Sequence, residues 1–163
     1  MLVMMREKWY KNEKKLRVAL QKFLEGRIYA PEYEELVKLV FDIIVNTDEA
    51  DIGFSENRIN IEGITQIDNG DYQGTLLFTI PFDTYQPQEY EYLMTYIGYG
   101  SCSGCDALQH AFYCHLSEDI EGKVDDIMKI CRDLVVNTIH PFDNGWRGTD
   151  YRFVQVDWNK EDD

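Results

Sequence analysis

The sequence predicts an α+β fold: an antiparallel sheet of about four strands with helices packed on one face, in the order ααβββααβ. Three observations carry this. Apolar residues at helical spacing fill residues 9–24 and 36–44 and return over 120–135. Between them, residues 59–99 alternate or run apolar in the manner of strands. The turn signal Asp68-Asn69-Gly70-Asp71 divides two of those strands and sets them as a hairpin.

Each element follows from its residues. Trp9, Leu16, Leu20, Phe23 and Leu24 share one side of a first helix, with Lys and Arg elsewhere and Gly26 as its stop. A second helix is expected from Pro31, with Glu32, Glu34 and Glu35 in its first turn and Leu36, Val37, Val40, Phe41 and Ile44 as its apolar stripe. Residues 48–58 read as a polar connection. From Ile59 a strand is expected, with Ile61 alternating, a bulge at Gly63, and Ile64 and Ile67 resuming. Asn69 and Gly70 tolerate the positive φ of a tight turn. "GTLLFTIPF" has little alternation, so it is expected as a central strand covered on both faces. "YEYLMTYIGY" forms the next strand. "DALQHAFYCHL" is a short helix capped by Asp106.

The longest helix is expected from Ser117 as N-cap, with Ile120, Val124, Ile127, Met128, Cys131, Leu134 and Val135 inward. "HPFDNGWRG" ends it, His140-Pro141 acting as a stop, and "YRFVQVDW" is a last strand returning to the sheet. One domain, 1–163, is expected: a basic N-terminal helix at 1–27, an acidic α+β body at 28–158 and a frayed tail at 159–163.

The formal net charge is −14, unevenly spread. Residues 1–27 hold eight Lys/Arg against three Glu, whereas between Lys38 and Lys123 a single base, Arg58, faces fifteen acids. Such a body repels phosphate backbones, so direct binding of duplex nucleic acid is disfavoured; it suits a partner with a basic surface, or serves solubility. The basic helix also suggests a homo-oligomer in which it docks on a neighbour's acidic body. No apolar run approaches the roughly 18 residues of a spanning helix, and the first residues have the wrong order of charge and apolarity for a signal peptide. The expected place is the cytoplasm, with cysteines reduced unless they have a task.

Residues 96–115 hold three of the four cysteines and two of the three histidines. Cys102-Ser-Gly-Cys105 stands where a strand ends and a helix begins, the local setting of a thioredoxin-type redox pair, but a hairpin precedes it and Asp106 opposes a thiolate. His110 and Cys114 share a helix face, so Cys102, Cys105, His110 and Cys114 form a Cys₃His set suited to structural zinc, with His115 able to replace Cys114. A thiol nucleophile would need His140 and Asp143 as helpers, giving a small zinc- or thiol-dependent enzyme centred on Cys102 and Cys105. Against these stands a plain reading: Gly100, Ser101, Ser103 and Gly104 make a close-packed turn with no cofactor. Spacing favours the turn, with zinc as the exception. Cys131 belongs to the core stripe.

Tyr85, Tyr90, Tyr92, Tyr96 and Tyr99 cluster within fifteen residues. In a regular strand Tyr90, Tyr92 and Tyr96 share a face and Tyr99 takes the other. With Asp83, Glu89 and Glu91 beside them, Tyr85, Tyr90 and Tyr92 make an acidic aromatic surface suited to protein binding.

"DNGDYQGTLLFTIP" (68–81) followed by "YIGYGSCSGCDALQ" (96–109) resembles a group of small, functionally uncharacterised bacteriophage and prophage proteins that carry a "DYQGTLLF" strand and a "YGSCSGCD" turn. The resemblance covers about residues 59–109 and does not reach His110 or Cys114. It implies a bacterial host cytoplasm and a role accessory to infection, and says little of activity. Joined to the fifteen acids against one base, it leads to the expectation of a non-enzymatic protein that binds and inhibits a host protein, such as a nucleic-acid-handling defence nuclease.

Overall fold

The computed structural model describes residues 2–47, 58–143 and 151–155. Its elements are α1 (Leu2–Leu24), α2 (Tyr33–Asn46), β1 (Thr65–Asp68), β2 (Gly74–Pro81), β3 (Tyr92–Tyr99), α3 (Ala107–Tyr113), α4 (Ile120–Val136), β4 (Ile139–Asp143) and β5 (Tyr151–Gln155). The strands form one antiparallel sheet in sequential order β1-β2-β3-β4-β5. The fold is therefore α+β, with a strand more than expected. The connection at 48–57, residues 144–150 and the end of the chain from 156, which includes the expected tail, lie outside the described residues.

α1 packs against α2 and α4, and α4 against α3 and β3. Trp9, Leu16, Leu20 and Leu24 are buried as their spacing predicts, joined by Met5, while Phe23 is half-buried. All five residues of the predicted α2 stripe are buried, with Tyr33 and Val45 extending it. α2 starts later than Pro31: Glu32 is the N-cap and its backbone N–H donates to Glu35 Oε2 at 2.8 Å, a capping box that favours this start. α4 likewise begins on Asp119 and not Ser117. The Asp119 carboxylate accepts from Gly122 N–H at 3.0 Å, and the Ser117 hydroxyl turns to Glu118.

The sheet departs from the predicted pattern in three places. The strand expected from Ile59 survives in its second half as β1, while its first half is reduced to one bridge, Ile59 to Phe82, and a 3₁₀ turn at Ile61–Gly63 replaces the bulge. Asn60 drives that change, its side chain accepting from Gly63 N–H. The β1–β2 turn spans residues 69–73, and Gly70 does not take a positive φ; among the described residues the only glycine that does is Gly26, after α1. What Gly70 supplies is space, since a Cβ there would lie 2.1 Å from the carbonyl oxygen of Gln73. Finally, β2 is central but alternates: Leu76, Phe78 and Ile80 are buried, whereas Thr75, Leu77 and Thr79 are half-buried. The face of Phe78 is shared by Leu93 and Thr95 of β3, and the Thr95 hydroxyl donates to the Leu134 carbonyl of α4.

His140-Pro141 follows the end of α4 but lies inside β4. Pairing of β3 with β4 is confined to Met94 and Ile139, so the missing N–H of Pro141 falls where β3 makes no demand on it.

Candidate functional site

Three places on this scaffold bear on function. The first is the turn from β3 into α3. A Cβ on Gly100 would lie 2.4 Å from the Cys105 carbonyl oxygen, so only glycine lets the loop fold back this far. The N–H groups of Cys105 and Asp106 both donate to the Cys102 carbonyl, at 3.1 and 2.8 Å, and Cys102 and Cys105 form a disulfide. Asp106 is the knot of the turn. Buried, it caps α3 by accepting from Gln109 N–H (2.9 Å), and it also accepts from Gly100 N–H (3.1 Å) and the Tyr33 hydroxyl (3.2 Å). Leu108 N–H in turn donates to Tyr33 (3.2 Å). Burial, and the charge of Asp106 beside it, push the Tyr33 phenol well above its ordinary value despite the opposing Leu108 hydrogen bond.

Above this knot opens a cleft of about 410 Å³, walled by Tyr29, Tyr33, Tyr99 and Tyr113 and edged by Asp68 and Asp106. Its described lining contains no Lys, Arg or His, so it is an anionic, aromatic space of the kind that accepts organic cations. At its rim the Tyr99 hydroxyl donates to Asp68 Oδ1 at 2.7 Å, and Gly70 N–H reaches the same oxygen at 2.9 Å. These two hydrogen bonds, Tyr99 first, hold the Asp68 carboxyl below the usual range, while the Asp68 hydrogen bond chiefly raises Tyr99 to about 12.

The signs give two edges to the pair's pH range. The Tyr99 contribution is whole below the ordinary phenol value of 10.0 and is lost as pH rises through about 12. The Asp68 contribution is whole above the ordinary 3.8 and fades as pH falls through its lowered value. In an ultraviolet tyrosine titration, Asp68→Ala is expected to move one tyrosine from the late group to near 10. An unchanged curve would show that the pair does not form in solution.

The second place is the β2–β3 connection, where most of the predicted contact surface lies. Phe82 N–H donates to the Glu91 carbonyl (2.8 Å), Asp83 N–H to Arg58 (2.8 Å), and Gln88 N–H to Glu91 Oε2 (2.8 Å), completing a capping box around a 3₁₀ turn at Glu89–Glu91. Tyr85 stands 92% exposed at its tip, with Asp83, Glu89 and Tyr90 also exposed and Glu91 and Tyr92 half-buried. Gln86, beside Tyr85, has φ 53°, the only positive φ of a non-glycine among the described residues. Tyr90 sits in the 3₁₀ turn, so the predicted strand face keeps Tyr92 and Tyr96 alone, with Tyr99 on the other side.

The third place corrects the predicted metal set. Cys102 and Cys105 are bonded to each other, which takes their sulfurs out of the predicted set with His110 and Cys114. Among the described residues, the Cys/His/carboxylate group whose donor atoms lie within 4.8 Å of one another is Cys114, His115 and Asp126. His115 Nε2 is 2.6 Å from Asp126 Oδ2, and His115 Nδ1 is 3.4 Å from Asp119 Oδ2. The hydrogen bond from His115, followed by Lys129, holds the Asp126 carboxyl below its ordinary range. His110 is exposed on α3, where its backbone carbonyl accepts from Cys114 N–H.

His140, weighed as a helper for a thiol, is half-buried in β4 and stacked on Phe82 with ring centroids 6.1 Å apart, and burial lowers its pKa. The side chain of Asp143 lies outside the described residues. Cys131 is fully buried in α4, and desolvation drives its thiol far from ionising, as a core role requires. One signal for the third cluster was present in the sequence: Asp119, Gly122 and Asp126 fall on a single helical stripe, with a glycine in a helix that otherwise has no need of one. The cleft had no such signal, since Tyr29, Asp68, Tyr99 and Tyr113 come from four separate segments.

No helix among the described residues is long and apolar enough to cross a membrane. Comparison of the chain with family models, curated proteins and solved structures found no match.

Proposed function

We propose that the protein is a bacteriophage accessory protein that acts in the bacterial host cytoplasm by binding a host protein with a basic surface. The β2–β3 connection serves as its contact. One observation carries this reading: a loop held in a fixed shape by three main-chain and side-chain hydrogen bonds, and containing a strained Gln86, presents Tyr85 almost wholly to solvent. Backbone strain survives only where surrounding bonds over-determine it, and it concentrates at recognition sites. A rigid loop loses little entropy on binding, and an exposed tyrosine is the residue type that supplies most energy when covered.

Asp83, Glu89 and Glu91 set negative charge around that ring, so the target is a basic, nucleic-acid-handling machine such as a defence nuclease, with carboxylates standing in for phosphates. With the helices covering the Phe78 face of the sheet, Tyr92 and Tyr96 widen the contact on the other. The resemblance of residues 59–109 to phage proteins supports the biological setting. The charge of −14 argues against duplex nucleic acid as the direct ligand.

The test is titration into such a nuclease at low and high salt, with Tyr85→Ala as the comparison. Inhibition is expected at low salt and weaker at high salt. Tyr85→Ala is expected to weaken binding about 30-fold or more while leaving thermal stability within about 0.5 kcal/mol of the parent. Absence of inhibition at low salt would sink the nuclease target, and full potency of the Tyr85 variant would sink the loop.

A further inference from the structure

We infer that Cys114, His115 and Asp126 form a zinc site at the junction of α3 and α4, with Asp119 orienting the histidine. The donor set comes first. A thiolate, an imidazole and a carboxylate are all zinc ligands, and their donor atoms already lie within 4.8 Å of one another. In a tetrahedral site such atoms stand about 3–4 Å apart, so the histidine and Asp126 need to separate only slightly from 2.6 Å to admit the ion. Three protein ligands leave a fourth position for water.

The outer contacts fit as well. With Nε2 turned to the metal, His115 Nδ1–H points at Asp119 Oδ2, 3.4 Å away, which is the carboxylate–histidine–zinc arrangement that sets the tautomer and ring orientation. Gly122 is the independent observation. It occupies the first turn of α4, where glycine costs helix stability, yet a Cβ there would lie 2.5 Å from Asp119 Oδ2 and 2.6 Å from His115 Nδ1. A side chain at this position would crowd the imidazole and its orienting carboxylate out of their present places. Helix capping alone does not require this, because Asp119 caps α4 through Oδ1 and the backbone N–H of residue 122, which any residue but proline supplies.

The site is reachable: Cys114 is exposed and His115 and Asp126 are part-exposed. Zinc binds the Cys114 sulfur as thiolate and His115 as neutral imidazole through Nε2, so the thiol proton, with any proton on Nε2, leaves to solvent and no oxidation state changes. The bound ion would clamp the end of α3 to the first turns of α4.

The test uses the full-length chain and the metals alone. Zinc titration of metal-free protein is expected to saturate at one equivalent and to raise the melting temperature by about 5–10 °C at a hundredfold excess over the dissociation constant. Cobalt(II) is expected to give the absorption of a thiolate-bound tetrahedral ion, lost in Cys114→Ser. Asp119→Asn should weaken zinc about 10- to 100-fold. Gly122→Ala should do so comparably, even though alanine is the better helix former, so loss of fold does not explain that loss of metal. Cys102→Ser/Cys105→Ser is expected to bind zinc as the parent does. The inference is overturned if the parent takes up no zinc, if Cys114→Ser or Asp126→Asn binds unchanged, or if the Cys102/Cys105 variant is the one that loses the metal.

Discussion

Asp106→Ala is expected to cost about 3–5 kcal/mol, a large share of the stability of a domain this size. The variant removes the cap of α3, ordinarily about 1 kcal/mol, and strips the acceptor from the Tyr33 hydroxyl and from Gly100 N–H in a buried setting. Each stranded donor adds about 1–3 kcal/mol, because water cannot easily replace the lost carboxylate. For a chain of this length the melting temperature should fall by about 2–4 °C per kcal/mol. Asp106→Asn keeps one oxygen and should fall in between. A double-mutant cycle with Tyr33→Phe isolates the contact between the α2 and α3 segments, and a coupling near zero would show that the two groups stabilise the fold separately. If Asp106→Ala loses less than about 1 kcal/mol, the turn is held by the disulfide and its main-chain bonds and not by this carboxylate.

Phe78→Ala should be comparably severe, at about 3–5 kcal/mol, for a different reason. Phe78 is fully buried at the centre of the sheet, opposite Thr95 in the register of β2 and β3, and truncation leaves a void that close-packed neighbours fill only in part. The informative control is its neighbour. Leu77 faces the other side of the sheet and is half-buried, so Leu77→Ala is expected to cost about 1 kcal/mol. Urea denaturation of both variants measures this asymmetry directly. Equal losses would mean that both faces of β2 are covered, as its unbroken apolar run suggests when read alone.

That pair of residues shows where sequence reading held and where it stopped. Burial at helical period is a local property, which is why the stripes of α1, α2 and α4 were legible to within a residue or two. Their starting points were less so: Glu32 caps a helix expected to begin at Pro31, and Asp119 takes the cap expected of Ser117. "GTLLFTIP" could not disclose that one of its faces is only half covered, since covering comes from elements distant in the chain. The extra strand was hidden by His140-Pro141, residues that stop a helix equally well whether or not a strand follows.

The same division runs through the candidate sites. Asp83, Tyr85 and Glu89 were recognisable as an acidic aromatic segment because they fall within seven residues, and the structure added the hydrogen bonds of their loop and the strain at Gln86. The cysteines left the chemistry open. A C-x-x-C spacing allows a disulfide, a redox pair or half a metal site with equal economy, and only the positions of the sulfur atoms distinguish them.

By itself the sequence determined the helices, the β1–β2–β3 meander, the Asp106 cap and the acidic character of the chain, all of which depend on neighbours a few residues apart. Tertiary structure alone decided which groups meet across the fold. It joined Tyr33 to Asp106 and Tyr99 to Asp68, and it set Cys114 and His115 against Asp126 in place of Cys102 and Cys105. The physical reason is one of range. Propensity, capping and periodicity act within a turn or two of the backbone, whereas a cleft or a metal site is a meeting of segments whose distance apart no local pattern encodes.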